Sequence, residues 1–254
     1  MKRLGYQGGN MGAKINIKVL FYLTAVLQMG CGKTGQSAVS EDSYANPSIY
    51  YIRTIDPSAT CAQKSKILDG SGKLIAEVCT KSYNECTMEG TCALKAEPNF
   101  KIINYTNKVN GEPRFTVLDS KAPCRYGYGV QNICLDPYYT VAADLNYHKA
   151  GEVIFIKEMR DVLLPNGERH KGYFLVRDRG GAIKGRNRFD FFTGFLNYTD
   201  KKNVFTDHGF ASTNSEIAYT VVTGSEAENF LKFRQYPLIP KSRPEDTEIG
   251  PESL

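Results

Sequence analysis

The most informative stretch of the sequence reads Phe174-Leu-Val-Arg-Asp-Arg-Gly-Gly-Ala-Ile-Lys-Gly-Arg-Asn-Arg-Phe-Asp-Phe-Phe192. Phe174 and Val176 alternate with Leu175 and Arg177 before its glycine-rich centre, and Phe189 and Phe191 flank Asp190 after it, which is the period-2 pattern of half-buried β-strands. Asp178 and Asp190 lie in these two alternating parts. The glycines between them favour a turn, because glycine adopts positive φ and lets the backbone approach a ligand. The stretch therefore predicts two carboxylates on strands or strand ends, with a tight connection between them.

A third aspartate, Asp144, follows the short apolar run 139–143 and precedes a further predicted strand, Val153 to Ile156. The order and spacing of Asp144, Asp178 and Asp190 resemble the 3D domain, which is named for its three aspartates. That domain occurs in the murein lytic transglycosylase A family and in secreted proteins active on cell walls. The residues that match in the middle of the motif are Gly180, Gly181, Ala182, Ile183, Lys184, Gly185 and Arg188.

The resemblance extends over residues 124–225 and has departures. Arg179 stands where the family has threonine, and Leu145 stands where it has proline. The chain is also short for the large second domain that is inserted in the typical enzyme. These differences concern the surroundings of the site and leave the three acids in place.

The resemblance implies a mainly β fold built on a six-stranded double-psi β-barrel, with the aspartates at one cleft. It implies cleavage of the β-1,4 bond between N-acetylmuramic acid and N-acetylglucosamine in peptidoglycan, without water, to give 1,6-anhydro-muropeptides. In this family the residue at the position of Asp190 is the general acid and then the base, and Asp178 and Asp144 orient the sugar or the acid. The expected substrate-binding residues are Gly180, Gly181, Lys184 and Arg188. The partner is a glycan strand, bound by a monomer that needs no metal or organic cofactor.

Elementary chemistry agrees with a role for clustered acids. Glycosidic cleavage needs a proton on the leaving oxygen, and a carboxylic acid is the usual donor. Burial and like-charge repulsion raise the pKa of at least one acid, while Arg177 or Arg188 can keep the others ionised. Arg188 is alternatively only an ion-pair partner of an aspartate. Two other functions stay open: a glycoside hydrolase that uses the same acids with a water molecule, and a non-catalytic barrel that binds peptidoglycan.

The N-terminal residues are typical of an export signal. Lys14 and Lys18 precede the apolar run Val19 to Met29, which is too short for a transmembrane helix. Gly30 and Cys31 resemble a bacterial lipobox, which implies lipidation of Cys31; ordinary signal cleavage nearby is the alternative. We therefore expect an exported protein, held as a lipoprotein on the periplasmic side of the outer membrane or secreted.

The remaining ionisable residues indicate no other class of function. The formal net charge is +5, but the first thirty residues hold four basic residues and no acid, and the remainder holds 28 basic and 27 acidic residues. A nucleic-acid partner is therefore not indicated. The three histidines, His148, His170 and His208, are scattered near predicted loops, and we expect them at the surface.

Cysteines and local patterns predict the domain organisation. The predicted segments are 1–30 as signal peptide, 31–47 as flexible tether, 48–120 as cysteine-rich β region, 121–234 as the barrel and 235–254 as a disordered tail. Besides Cys31 the chain has six cysteines, an even number that favours disulfides in an oxidising compartment. A pair between Cys124 and Cys134 is plausible, and the other pairings stay open.

Short apolar runs predict the elements of the cysteine-rich region and of the C-terminal part. The predicted strands include Ile49–Ile55, Leu74–Cys79, Phe100–Tyr105, Arg114–Leu118 and Tyr173–Val176, and the predicted helix is Ser225–Phe233, with Ser225 as its N-cap. Whether the cysteine-rich region is a separate domain or contributes the first strands of the barrel is left open by the sequence.

Overall fold

The computed structural model describes residues 43–96, 99–118 and 123–240. The predicted signal peptide, Cys31, most of the tether and the end of the tail lie outside these ranges. The strands are β1 (Ser43–Tyr50), β2 (Arg53–Ile55), β3 (Lys64–Leu68), β4 (Leu74–Cys79), β5 (Thr91–Ala96), β6 (Asn99–Val109), β7 (Glu112–Val117), β8 (Thr140–Ala143), β9 (Val153–Leu163), β10 (Arg169–Asp178), β11 (Arg188–Phe192) and β12 (Ile217–Val222). The helices are α1 (Thr80–Glu89), α2 (Val204–Asp207) and α3 (Gly224–Phe233), with a 3₁₀ turn at Val130–Asn132.

Six of the strands close into a barrel in the order β1-β11-β8-β10-β9-β12. Parallel pairing joins β1 to β11 and β8 to β10, and the other neighbours are antiparallel, including the β12–β1 pair that completes the circle. All four residues of β8 are buried, as expected for a short strand with neighbours on both edges. The prediction of a mainly β chain with a six-stranded barrel is confirmed.

Phenylalanines fill the barrel and fix the orientation of β11. Phe174, Phe191, Phe205 and Phe210 are fully buried. The ring centroids of Phe191 and Phe210 are 4.6 Å apart, and those of Phe174 and Phe191 are 5.1 Å apart. Because side chains alternate along a strand, the inward position of Phe191 turns Asp190 to the opposite face of β11. The core thus decides where the acid points.

A second β structure is inserted between the first two barrel strands of the chain, and we call residues 51–118 the inserted region. It contains a four-stranded sheet of order β2-β5-β6-β7, the β3–β4 hairpin and α1. Its small core includes Ile55, Ile67, Val78 and Phe115. The run Ile49–Ile55, predicted as one strand, is divided between the barrel strand β1 and the sheet strand β2. The cysteine-rich region therefore supplies both a barrel strand and a sheet of its own.

The six cysteines of the described residues form three disulfides, which confirms the disulfide prediction. The pairs are Cys61–Cys79, Cys86–Cys92 and Cys124–Cys134. The third pair is the one that the sequence made plausible. The other two lie in the inserted region, where they constrain the unfolded chain and so add to the stability that its small core supplies.

Two helical details differ from the sequence expectation. Helix α1 was not predicted, because only Cys86 of its ten residues is buried and no helical period stands out. Helix α3 confirms the predicted helix, but Ser225 is not its N-cap: Thr223 occupies that position, without a side-chain capping bond. None of the helices in the three described ranges is both long and apolar enough to cross a membrane.

The first residues of the segment predicted as a tail pack against the barrel. The carbonyl of Pro237 accepts a hydrogen bond from the backbone N–H of Cys134 at 2.9 Å, and Ile239 is buried. Residues 241–254 lie outside the described ranges.

Candidate active site

Asp190 lies in the middle of β11 and receives a hydrogen bond from β1. In the parallel register of the two strands Ser48 is opposite Asp190. The Ser48 hydroxyl donates to Oδ1 of Asp190 at 2.5 Å, and Nη2 of Arg188 donates to the Ser48 oxygen at 2.6 Å. Arg188 and Asp190 are two residues apart, so they share one face of the strand. Arg188 is thus linked to Asp190 by two hydrogen bonds that share the Ser48 hydroxyl.

Asp178 ends β10 and receives a second hydroxyl from the same strand. Tyr50 is two residues after Ser48, on the same face of β1, and its phenol donates to Oδ2 of Asp178 at 3.0 Å. The backbone N–H of Arg179 donates to Oδ1 at 2.8 Å. Strand β1 therefore positions both acids, although it lies more than a hundred residues before them in the chain.

Burial changes the proton affinity of both acids. Each is half-exposed at the surface yet closely surrounded by protein, and this loss of hydration raises the pKa of Asp178 to about 6. The hydrogen bonds from Arg179 and Tyr50 oppose that rise, and the charge of Asp190 adds to it. Burial also raises the pKa of Asp190, against the hydrogen bond from Ser48 and the charge of Arg188. The two acids form an interacting pair that can hold a proton close to neutral pH.

The phenol of Tyr50 donates a hydrogen bond to Asp178 at every pH at which the two acids titrate. Burial, followed by the charges of Asp178 and Asp190, raises the pKa of its phenol well above the ordinary value. The ring lies 5.0 Å from that of Phe192, measured between centroids. Tyr50 thus stays protonated over the whole range in which the acids titrate.

The third aspartate has a different environment. Asp144 accepts hydrogen bonds from the backbone N–H of Gly185 at 2.9 Å and from the Asn146 side chain at 2.9 Å. The Gly185 bond is the main reason why the pKa of Asp144 is lowered. Asp144 is therefore an ionised group that holds the glycine-rich turn, whereas Asp178 and Asp190 are the acids that the fold brings together.

The turn between β10 and β11 presents the remaining motif residues. Gly181 and Lys184 are exposed, and Gly180 is half-buried. A Cβ atom at Gly180 would lie 2.5 Å from Cγ1 of the buried Ile183, so only glycine fits there. Gly185 has φ of +91° while its N–H donates to Asp144. These residues form the turn that joins Asp178 to β11, and the charge of its exposed Lys184 helps to lower the pKa of Asp144.

The histidine expectation is wrong for two of the three residues. His148 and His170 are buried, and only His208 is at the surface. His148 lies under the turn: Nδ1 is 2.6 Å from Oε1 of Glu152, and Nε2 is 2.8 Å from the carbonyl oxygen of Arg186. Burial lowers the pKa of His148, but the bonds to Glu152 and Arg186 outweigh it and the pKa is raised. His148 is therefore the second residue, after Asp144, that holds the turn by a hydrogen bond.

Arg177 does not serve the acids as the sequence suggested. Its side chain is fully buried, and Nη1 donates to the carbonyl oxygens of Cys134 at 3.0 Å and Leu238 at 2.7 Å. Its hydrogen-bond partners differ from those of Asp178, which are Tyr50 and Arg179. Of the two arginines proposed to keep acids ionised, Arg188 is the one beside Asp190.

One acid of the inserted region, Glu89, has an environment that the sequence did not predict. Glu89 is the last residue of α1. Burial and then the negative charge of Asp190 raise the pKa of Glu89 to about 7, which Arg53 opposes. Nothing in the local pattern distinguishes it from a solvent-exposed glutamate. Within the described ranges, no group of three or more His, Cys, Asp or Glu residues has the geometry of a metal site.

Comparison with known proteins gives a class for part of the chain. The family model described as "3D domain" matches residues 139–204, which include all three aspartates but neither Ser48 nor Tyr50. A search of curated protein sequences gave no match.

Solved structures give a distant similarity to lytic transglycosylases of the MltA type. MltA of E. coli with bound chitohexaose is 12% identical, with a TM-score of 0.48, over 69% of this chain and 70% of the other. A membrane-bound lytic murein transglycosylase of Agrobacterium tumefaciens is 13% identical, with a TM-score of 0.49, over 74% and 77%. LtgG of Burkholderia pseudomallei is 13% identical, with a TM-score of 0.36, over 71% of each chain. Similarity at this level assigns no role to any residue.

Proposed function

We propose that the protein is a murein lytic transglycosylase that cleaves the β-1,4 bond between N-acetylmuramic acid and N-acetylglucosamine. The observation that carries the proposal is the pair Asp178 and Asp190. Both carboxyls are half-exposed with raised pKa, and each accepts a hydrogen bond from a hydroxyl of β1. A proton donor poised near the working pH beside a charged companion is what glycosidic cleavage requires. The match of the 3D domain to residues 139–204 supports the same reaction.

Asp190 is the proposed proton carrier. Its carboxyl gives a proton to the oxygen that leaves C1 of the muramic acid residue, and the C1–O bond breaks with its electron pair going to that oxygen. The C6 hydroxyl of the same sugar then bonds to C1 and returns its proton to Asp190. The products are a free hydroxyl on N-acetylglucosamine and a 1,6-anhydro ring, and no water is consumed. An attacking group within the substrate reaches effective molarities of about 10⁵ M or more.

The other motif residues have proposed supporting roles. Asp178, held by Tyr50, stabilises positive charge that develops at C1 or orients the sugar. Asp144 fixes the turn, so that the Gly180 and Gly181 amides and Lys184 can hold polar groups of the glycan. Arg188 acts through Ser48 on Asp190. The proposed partner is the peptidoglycan glycan strand.

The proposed location is outside the cytoplasm. Three disulfides need an oxidising compartment to persist, which agrees with export. A lipid on Cys31 would keep the enzyme at a membrane surface within reach of the wall. Mass spectrometry of the mature N-terminus distinguishes the lipidated form from a secreted one.

Digestion of purified sacculi tests the reaction. Wild type is expected to release 1,6-anhydro-muropeptides, identified by mass spectrometry, and Asp190→Asn to lose about 100-fold or more of the rate, since one positioned proton donor contributes about that factor. Asp161→Asn, which changes an exposed aspartate of β9, is the matched control with an unchanged rate. Full activity in a folded Asp190→Asn protein overturns the proposal.

The same digestion separates the two alternative functions. New reducing ends in place of anhydro products indicate a hydrolase, which two acids with raised pKa values also permit. Binding of sacculi without release of soluble fragments indicates a wall-binding barrel. Either result replaces the lyase proposal.

A further inference from the structure

A cleft in the inserted region lies between the β3–β4 hairpin and the four-stranded sheet. Strand β7 is an edge of that sheet, and β3 belongs to a sheet of two strands, so each has an edge without a strand partner. Among the described residues, one parallel bridge, between Asp69 and Phe115, joins the end of β3 to β7. Away from this bridge the two strands border a cavity of about 390 Å³, which we call the β3–β7 cleft. Sites for small ligands have volumes of roughly 300–1,000 Å³.

Basic side chains from both strands line the β3–β7 cleft. Lys64 and Lys66 are exposed and two residues apart, so they share one face of β3. Lys66 has no hydrogen-bond or ion-pair partner in the described ranges, and Nζ of Lys64 lies 3.5 Å from the carbonyl oxygen of Pro57. Each ammonium group carries three N–H donors, so both keep donors for a ligand.

Arg114 contributes a buried charge to the opposite wall of the cleft. It is 7% exposed, and its Nη2 lies 3.0 Å from Oε2 of Glu112. Nη1 donates to the carbonyl oxygens of Glu112 at 3.4 Å and of Pro113 at 3.1 Å. Nε is buried and has no hydrogen-bond partner among the residues that the structure describes. The wall therefore holds a guanidinium whose donors the protein satisfies only in part.

The remaining lining residues suit the cleft to a ligand of mixed character. Leu68, Tyr83 and Pro113 are half-buried and provide apolar surface. Glu77 is opposite Lys66 in the register of the hairpin and adds an exposed negative charge. This charge disfavours a polyphosphate, whereas a ligand with carboxylates, an amino group and aliphatic carbon complements all of these side chains.

We propose that the β3–β7 cleft binds a short extended peptide that carries free carboxylates and an amino group. Lys64 and Lys66 bind the carboxylates, and Glu77 binds the amino group. The inference deepens the proposed function and rests on it for the source of the ligand, because the stem peptides attached to peptidoglycan strands have this chemistry. The inserted region then recognises the peptides of the polymer whose glycan the barrel cleaves.

The edge strands favour an extended peptide over a compact metabolite. Edge strands bind extended chains through unpaired backbone groups, and alternate side chains along the strand give specificity. Lys64 and Lys66 are one strand repeat apart, about 6.6 Å along β3, a spacing that two carboxylates of one extended peptide can match.

NMR titration of the ¹⁵N-labelled protein tests the binding without any cleavage. The probe is the mixture of stem peptides that an amidase releases from sacculi by cutting between glycan and peptide. The amide signals of Lys64–Leu68, Glu112 and Arg114 are expected to shift, and the same peptides with methyl-esterified carboxylates should leave them in place. An absence of shifts in these residues, or equal shifts with the esterified peptides, overturns the inference. So do shifts of the cleft signals with a chitin oligosaccharide and not with the peptides.

Replacement of the two lysines tests the proposed contacts. The double variant Lys64→Gln, Lys66→Gln should bind stem peptides roughly ten-fold more weakly by isothermal titration calorimetry, the loss expected for two exposed ionic contacts. Lys101→Gln, at an exposed lysine of β6 that does not line the cleft, is the matched control and should bind like wild type. Thermal unfolding should be alike in all three proteins, because the replaced side chains are exposed. Wild-type affinity in the folded double variant overturns the inference.

Sacculus digestion distinguishes a failure of this inference from a failure of the proposed function. If wild type binds stem peptides at the cleft but releases no fragments from sacculi, the proposed function fails and the peptide site stands. If wild type releases 1,6-anhydro-muropeptides but stem peptides shift no signal of the cleft, the peptide site alone is refuted.

Discussion

The barrel and the inserted region are stabilised in different ways. The barrel is filled by phenylalanines from β10, β11 and the segment around α2, and it needs no cross-link to close. The inserted region has a core of eight buried residues, two of which are the disulfide partners Cys86 and Cys92. Burial of apolar area therefore stabilises the part that holds the acids, and covalent bonds stabilise the part that carries Glu89. The two regions are therefore expected to respond differently to reduction of the disulfides.

The largest effect is expected from a cavity in the barrel. Phe191→Ala removes a fully buried ring next to Phe174 and Phe210 and should lower the free energy of unfolding by about 3–5 kcal/mol. Urea denaturation measures it. Phe233→Ala, which truncates a ring that is 46% exposed, is the control and should cost far less. A loss below about 1 kcal/mol for Phe191→Ala would contradict the view that aromatic packing holds the barrel.

The sequence predicted the barrel side of the site well because its signals are local. Alternation around Asp178 and Asp190 predicts strands, and the structure has β10 and β11 there. The same alternation favours Arg188, which is two residues from Asp190 and shares its face. The position of Arg177 is not predictable in this way, because the pairing of β10 with β8 shifts register between Val176 and Asp178.

The contribution of β1 to the site and the presence of α1 could not be predicted in this way. Ser48 pairs with a residue 142 positions later, and no local pattern encodes the register of two strands so far apart in sequence. The polar residues 43–47 also resemble a tether until their pairing is known. Helix α1 has one buried residue and a disulfide in place of an apolar stripe, so neither the helix nor the position of Glu89 was predictable.

A smaller effect is expected when a cross-link of the inserted region is removed. Cys61 and Cys79 are both half-exposed, so their joint replacement by serine changes the constraint on the chain with little change in burial. A loop with a sequence separation of 18 corresponds to about 3 kcal/mol on the chain-entropy estimate. Urea denaturation of the double variant Cys61→Ser, Cys79→Ser measures the loss.

The double variant also sharpens the contrast between the two regions. At temperatures at which the double variant is folded, ¹³C titration should still give a raised pKa for Asp178. The reason is that its partners Tyr50 and Arg179 do not belong to the cross-linked segment. An unchanged free energy of unfolding would show that the inserted region does not depend on its disulfides. Loss of the Asp178 titration would show that the barrel site depends on them as well.

The smallest effect is expected from the hydrogen bonds through which His148 holds the turn between β10 and β11. Both neighbours of its ring, the Glu152 carboxylate and the Arg186 carbonyl, accept hydrogen bonds, so both nitrogens donate only in the charged imidazolium. The pKa of His148 is raised by these bonds against the effect of burial. A raised folded-state pKa contributes stability that is complete below the unfolded value of about 6.5 and is lost as pH rises through the folded value.

The free energies of unfolding of wild type and His148→Gln, measured at pH 5.5 and at pH 9, test the contribution of these hydrogen bonds. The stability advantage of wild type should be larger at the lower pH, by about 1 kcal/mol, the net value of one hydrogen bond. His208→Gln, at an exposed histidine outside the turn, is the control for loss of an imidazole elsewhere in the chain. An advantage that is equal at both values of pH would mean that His148 stabilises the barrel by packing against Phe189, 4.8 Å away between ring centroids. His148 would then hold the turn by aromatic contact, and the hydrogen bond from Gly185 to Asp144 would be its main polar support.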